Sequence, residues 1–352
     1  MKMKALVKQK AGPENVLMEV PVPEIQADEI LIRVKAASVC GSDMHKFSWA
    51  PSMYMYEKYL PLIFGHEFSG VVEKIGEKID PAVAKPGDRV TINNAHSCGV
   101  CEFCRKGLVM LCPEFYWNGG TKDGAFAEFT VVKADQILKM PDNMSFVAGS
   151  LIEPLGVAAN AVDKLGIGLG TKVGVIGAGA IGLFATLMAK AAGAAQCVSI
   201  GLRSDLPRLQ LAVEELGADA YIINDEQNAV EEVKKLTDGM GLDVVFECSG
   251  VPQMVNLATD LIRMGGKVGV VGIYSGKAEL DLSTLVRSQK SLICTFGGMT
   301  PYGRTLEWAK GHPELMQKAE KIVTHKNQLE DFEEMLRRSR AHESIKEVFV
   351  FD

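Results

Sequence analysis

No hydrophobic run in the sequence is long enough to be read as a membrane span. The longest uncharged stretch, Val173 to Ala189, is short of the roughly 20 apolar residues a spanning helix needs and carries four glycines. It reads better as strand, turn and helix. The first residues, Met1-Lys2-Met3-Lys4-Ala5-Leu6-Val7, hold too few apolar positions for a signal h-region, so a cytoplasmic location is expected. Charge of one sign is also missing. A net charge of −6 and a pI near 5.7, with acids and bases mixed throughout, exclude nucleic acid and anionic membrane surfaces as expected partners. Repeats, low-complexity tracts and long linkers are absent, and histidine is scarce, at six residues. Three of the six, His312, His325 and His342, have no metal-type neighbours in sequence and read as surface residues.

What remains is an ordinary soluble composition, 47% hydrophobic and 23% charged, over 352 residues. That length exceeds what one core usually serves and predicts two domains.

Cysteine is plentiful. Four of the eight crowd into Cys98-x2-Cys101-x2-Cys104-x7-Cys112, a spacing that can enclose one tetrahedral ion with sulfur alone and predicts a closed, structural zinc site. An iron–sulfur cluster shares the first spacings but not the fourth, and a DNA-binding zinc module would need a basic stripe that Glu102 and Glu114 dilute. Cys197, Cys248 and Cys294 each lie in or at the end of an apolar run and read as small core residues.

A second metal site is suggested by Gly65-His66-Glu67, with Cys40 upstream. Sulfur, imidazole and carboxylate together suit a catalytic zinc, which takes about three protein ligands and keeps one position open. Around the cysteine, Cys40-Gly41-Ser42-Asp43-Met44-His45 adds the hydroxyl of Ser42 and the imidazole of His45, the parts of a proton relay. Asp43 is expected to orient His66, because ligating histidines usually donate their other N–H to an acceptor. Read alone, Asp43 is equally a turn or cap residue.

From residue 4 to about 140 short strands dominate, such as Ile30 to Ala36 with Ile30, Ile32, Val34 and Ala36 on one face. Leu151 to Leu165 has helical spacing and marks a hinge near Ser150. Six apolar runs follow, at 172–176, 197–200, 220–223, 243–248, 266–271 and 291–296, most of them separated by helical patterns. This alternation predicts an α/β doubly wound parallel sheet. The tail, from about Thr300, shows two helical patterns and a last strand, Glu347 to Phe351.

Lys172 to Ile176 leads into Gly177-Ala178-Gly179-Ala180-Ile181-Gly182 and then a helical run. That is G-x-G-x-x-G between strand and helix, the dinucleotide context in which Gly177, Gly179, Ala180, Ile181 and Gly182 meet a pyrophosphate. NAD enzymes place an acid about 20 residues further on. Gly201 stands there, with Arg203 and Arg208 behind it, so NADP(H) is favoured over NAD; Asp205 on a longer loop would restore the NAD reading.

Taken in order, Cys40 to His45, Gly65-His66-Glu67-Phe68-Ser69-Gly70-Val71-Val72, Pro86-Gly87-Asp88-Arg89-Val90, the four-cysteine lobe, Asp123 to Glu128 and the glycine motif resemble the zinc-dependent medium-chain alcohol and polyol dehydrogenases. The likeness covers essentially the whole chain. It implies a GroES-like β-barrel catalytic domain over 1–155 carrying two zincs, and a six-stranded Rossmann domain over 156–296. The stretch 297–352 then returns to the catalytic domain. It also implies an active site in the cleft between domains and a homo-oligomer, dimer or tetramer. Ile152-Glu153-Pro154-Leu155 is similar to the sorbitol and threonine dehydrogenase branches, so Glu153 joins Cys40, His66 and Glu67 as a holder of the catalytic zinc or its water. The stretch from His45 to Trp49 is closer to threonine dehydrogenases, where a histidine near the place of His96 is also used. The expected reaction is hydride transfer between a secondary alcohol, a polyol, sugar alcohol or amino alcohol, and NAD(P), with L-threonine oxidation as one form. A redox sensor or structural protein that merely kept the fold is the alternative of another class.

Overall fold

The computed structural model describes residues 1–274, 276–297 and 302–352. In chain order come strands β1 (Lys2–Lys8), β2 (Val16–Pro21) and β3 (Glu29–Ser38), helix α1 (Gly41–Ser48), then β4 (Leu62–Ile63), β5 (Glu67–Ile75), β6 (Arg89–Ile92) and β7 (Ala95–His96). After α2 (Glu102–Arg105) follow β8 (Tyr116–Trp117), β9 (Phe129–Lys133), β10 (Ile137–Lys139), α3 (Phe146–Ser150) and α4 (Ile152–Leu165). Strands β11 (Lys172–Ile176), β12 (Gln196–Gly201), β13 (Ala220–Ile223), β14 (Leu242–Glu247), β15 (Ile262–Val270) and β16 (Ser291–Cys294) then alternate with α5 (Ala180–Ala191), α6 (Leu206–Glu214), α7 (Ala229–Leu236), α8 (Pro252–Leu261) and α9 (Leu282–Arg287). The chain ends with α10 (Tyr302–Gly311), α11 (Pro313–Glu320), β17 (Val323–Asn327), α12 (Phe332–Arg340) and β18 (Lys346–Val350).

Two compact units result, one from 1–153 with 301–352 and one from 154–300. In the first, β3 is the hub. It pairs antiparallel with β5, β9 and β18, and its alternate residues Ile30, Ile32, Val34 and Ala36 are fully buried. An aromatic core fills the space behind it: Phe47 lies 5.8 Å from Phe126 and 4.9 Å from Phe332, and Phe126 lies 5.2 Å from Phe349. Aromatic pairs at such distances add to the burial of their faces, so two residues of the last 25 help hold the first barrel strands.

The second unit is a six-stranded parallel sheet in the order β13-β12-β11-β14-β15-β16. The order reverses between β11 and β14, and in such sheets ligands bind outside the carboxyl ends of the strands at that point.

Three local readings need correction. The tail has three helices rather than two, and β17 was unforeseen. Its residues Val-Thr-His-Lys-Asn are largely polar, and it lies at the sheet edge, pairing only with β18. Cys294 is exposed rather than core, because β16 is itself an edge strand. The expected tail boundary at Thr300 lies outside the described residues.

Candidate active site and metal centres

Cys40 is the N-cap of α1, in extended conformation at φ −86° and ψ 153°. His66 and Glu67 stand at the start of β5, reached through Gly65 at φ +96°, where an added Cβ would lie 2.8 Å from the Phe126 ring. Only glycine fits there, and the turn it makes points His66 and Glu67 toward Cys40. One ligand atom from each of Cys40, His66 and Glu67 falls within 4.8 Å of the others.

Polar contacts hold these groups. The Asp43 carboxylate accepts the Cys40 backbone N–H at 3.1 Å through Oδ2, and its Oδ1 lies 3.5 Å from His66 Nδ1. With Nδ1 turned to Asp43, Nε2 is the nitrogen left for a metal. Glu67 Oε2 accepts hydrogen bonds from Ser38 Oγ and Lys346 Nζ, while Glu67 Oε1 is buried without a partner. A buried, unpaired carboxylate oxygen is costly in a folded chain. A divalent cation beside a thiolate and an imidazole would satisfy it, so the donor set fits zinc.

The electrostatics follow from burial and close pairing. Burial pushes the Asp43 carboxyl up, but Lys46 and His66 outweigh it and hold it well below the usual range. Burial disfavours a charged His66, yet Asp43 raises it well above its ordinary value. Lys346 is likewise raised, burial being overcome by Glu67 and then Cys40.

Glu153, near the start of α4, stands outside the three-residue cluster. Its Oε1 accepts hydrogen bonds from Asn94 Nδ2 at 3.0 Å and Tyr302 Oη at 2.8 Å. Burial raises its carboxyl above the ordinary range; His66 opposes the rise and Glu67 adds to it. Ser42 and His45 lie three residues apart on α1, hence on one face, with Ser42 half-buried and His45 exposed. His96 Nδ1 is held by both oxygens of Asp135 at 2.8 and 2.9 Å, and its ring packs on Tyr116. Among the aromatic residues of this unit, Trp49 is buried in the barrel core, Tyr116 packs on His96, and Trp117 meets His66 edge-on at 5.3 Å.

Sequence reasoning missed Ser38, Lys46, Asn94, Tyr302 and Lys346. Lys46 lies in the stretch from His45 to Trp49 and meets Asp43 three residues back on α1; the other four belong to no motif and reach the site only through tertiary placement.

The four cysteines of the lobe also converge, with ligand atoms within 4.8 Å of one another. Backbone N–H groups point at their sulfurs: Cys98 and Glu114 at Cys112, Cys101 at Cys98, and Cys104 at Cys101, all at 3.4 Å. Hydrogen bonds from Val100 and Cys101 lower the Cys98 thiol to about 7. Four sulfurs prepared to carry negative charge and gathered around one point fit a structural zinc.

In the second unit the glycine motif closes the β11–α5 turn. A Cβ on Gly182 would lie 1.9 Å from the Gly177 carbonyl oxygen, so the third glycine is required for helix to pack on strand. At Gly179, the N-cap of α5, a Cβ would meet nothing within 4 Å. That open space faces the helix N-terminus opened by Ala180 and Ile181, where a pyrophosphate fits. Gly201 ends β12. Arg203 Nε donates to Glu226 Oε1 at 2.6 Å and its backbone N–H to Asp225, while Arg208 Nη1 lies 3.5 Å from Asp205 Oδ1. No helix among the described residues is long and apolar enough to cross a membrane.

Comparison with known proteins places this geometry in context. Residues 26–142 match the alcohol dehydrogenase GroES-like domain family and residues 180–312 the zinc-binding dehydrogenase family. The chain is 36% identical to an L-threonine 3-dehydrogenase of Pyrococcus horikoshii, over 99% of each protein. It is 32% identical to a sorbitol dehydrogenase of Bacillus subtilis, over 91% of this chain and 88% of that one. Among solved structures, a zinc-binding dehydrogenase of Sinorhizobium meliloti bound to NADP superposes with a TM-score of 0.88 at 27% identity, covering 100% of both chains.

Proposed function

Since the chain belongs to the zinc-dependent medium-chain dehydrogenases, and is therefore an oxidoreductase acting on CH–OH donors, we propose that it oxidises a secondary alcohol of the polyol or amino-alcohol class with NADP as the favoured acceptor. One observation carries this reading: the convergence of Cys40, His66 and Glu67, with a buried carboxylate oxygen that has no partner.

Cys40, His66 and Glu67 would hold the catalytic zinc, with Glu153 beside them, and Cys98, Cys101, Cys104 and Cys112 a second, structural one. When bound, the catalytic metal supplies Lewis acidity to the hydroxyl oxygen and the nicotinamide supplies the hydride acceptor. Ser42 takes the hydroxyl proton and passes it along the α1 face to His45, whose exposure gives it to solvent. Asp43 orients His66. Glu153, kept protonated more readily by burial, would hold a water or a substrate hydroxyl through the carboxyl oxygen other than Oε1, which accepts from Asn94 and Tyr302.

For the cofactor, Gly201 offers no carboxylate to repel a 2′-phosphate, Arg203 and Arg208 lie just beyond it, and the Sinorhizobium meliloti relative binds NADP. Arg203 would exchange Glu226 for the phosphate. The exposed edge of β16 and the exposed apolar residues Leu282 (66% exposed) and Val286 (76%) on α9, which precedes it in the chain, favour a homo-oligomer. Eight thiols free of disulfides suit a reducing cytoplasm.

The test is a panel of sugar alcohols, L-threonine and short secondary alcohols with each cofactor, read by absorbance of the reduced nicotinamide. Turnover of a polyol or amino alcohol, lost in Cys40→Ser, supports the reading; activity that survives in Cys40→Ser overturns it.

A further inference from the structure

Lys46 is a charged side chain with almost no access to water. Its side chain is 3% exposed, and its Nζ donates to Asp43 Oδ1 at 2.9 Å and to the Gly119 carbonyl at 2.8 Å. The rest of the ammonium faces rings, 4.6 Å from the centroid of Trp117 and 5.3 Å from that of Phe64. A buried ammonium is tolerated only when paired and enclosed in this way.

Its two hydrogen bonds join two parts of the site. Asp43 contacts both the Cys40 backbone and, at 3.5 Å, His66 Nδ1. Gly119 packs against the turn before His66 so closely that a Cβ on it would lie 2.5 Å from the Gly65 carbonyl oxygen. Lys46 therefore spans from the α1 end that presents Cys40 to the loop that backs His66. It also shares with His66 the same oxygen of Asp43, Oδ1, so that one carboxylate oxygen is fixed between the ammonium and the imidazole.

We infer that Lys46 is a positioning residue of the catalytic metal: acting through Asp43, it fixes the angle between Cys40 and His66. The inference rests on the metal reading of Cys40, His66 and Glu67 above. Removing a group that orients a ligating histidine typically costs 10–100-fold in metal affinity or activity.

The zinc-loaded protein is exchanged into a strong chelator, and release from the two sites is followed separately; a cobalt-substituted sample reports ligand geometry through its visible d–d bands. Lys46→Met should release the catalytic-site metal about 10–100-fold faster and shift the cobalt bands, with the four-cysteine site unchanged. Asp43→Asn should do the same, and Asp43→Asn/Lys46→Met should release metal no faster than Asp43→Asn alone, because one path carries both effects. Release and cobalt spectra identical to wild type in Lys46→Met overturn the inference, as does a double variant whose losses multiply. Should Lys46→Met fail to fold, the double variant, which buries neither charge alone, still decides by comparison with Asp43→Asn. A wild type that holds no metal at Cys40 and His66 overturns the proposed site together with this inference; a wild type that holds it while the variants match it overturns the inference alone.

Discussion

Glu67 and Lys346 form a buried ion pair between residues 279 positions apart, joined because β5 and β18 both flank β3. One carboxylate oxygen is thereby committed to the fold and the other is buried without a partner, in a carboxylate one oxygen of which lies within 4.8 Å of a Cys40 and a His66 ligand atom. Removing one partner of such a pair strands a buried charge, at a cost of about 3–5 kcal/mol. Lys346→Met should lose stability on that scale in urea unfolding of the chelated protein. Added zinc should restore part of the loss, since a Glu67 released from Lys346 donates more strongly to a metal and a ligand that binds only the folded state stabilises it. A variant within about 1 kcal/mol of wild type, or one that zinc does not stabilise, would show that the pair does not govern this carboxylate.

Zinc analysis should give two ions per chain with unequal roles. Cys40→Ser opens the mixed-ligand site and should abolish turnover and one zinc while leaving the fold intact. Cys101→Ser removes one sulfur from the four-cysteine site, where the proposed metal would cross-link a loop with exposed apolar residues such as Val100 and Leu111. It should lose the other zinc and lower the melting temperature of the lobe. Equal stability loss in both variants would remove the division between catalytic and structural metal.

The glycine motif, the alternation of strands and helices and the four clustered cysteines are local patterns, so their chemistry is readable from spacing alone. The same holds for Cys40 and His66, each inside a short run of chemically distinctive residues. Lys346 is different: in Ser344-Ile345-Lys346-Glu347-Val348 it reads as a surface lysine on an edge, and only the β3–β18 register turns it inward. Tyr302 and Asn94 reach Glu153 from 149 and 59 positions away, separations that no periodicity encodes. Strand β17 escapes for the opposite reason. Its pairing on one side needs little apolar character, so its sequence carries little signal.

Ser42→Ala should slow alcohol oxidation by about 10²–10⁴-fold where chemistry limits, without releasing metal, because the hydroxyl is assigned to proton transfer. His45→Ala should be milder and rescued by added imidazole or high buffer, since in the proposed relay its exposed ring would hand the proton to solvent. An unchanged rate in Ser42→Ala would take the hydroxyl out of the relay.

In the proposed reading, cofactor choice would turn on the ion pair between Arg203 and Glu226. Arg203 is held at 2.6 Å by a carboxylate that competes with any phosphate for the same guanidinium. Gly201 itself carries no acid, but Asp205 turns back to the end of β12, its Oδ2 accepting the Leu202 N–H at 3.2 Å and lying 3.3 Å from where a Cβ on Gly201 would be, so Arg203 must outweigh this carboxylate for a 2′-phosphate to bind. A charge-assisted hydrogen bond contributes about 1.5–3 kcal/mol, so losing the phosphate contact should lower the NADP-to-NAD ratio of kcat/KM by roughly 10–150-fold. Arg203→Glu should do this. Glu226→Gln should act in the reverse direction, freeing the guanidinium and raising the ratio without touching the substrate site. Opposite shifts from the two variants would tie specificity to this one contact. A wild type that prefers NAD, or a ratio unmoved by Arg203→Glu, would mean that the 2′-phosphate is not read by Arg203 and that the pair with Glu226 serves only to hold the loop after β12.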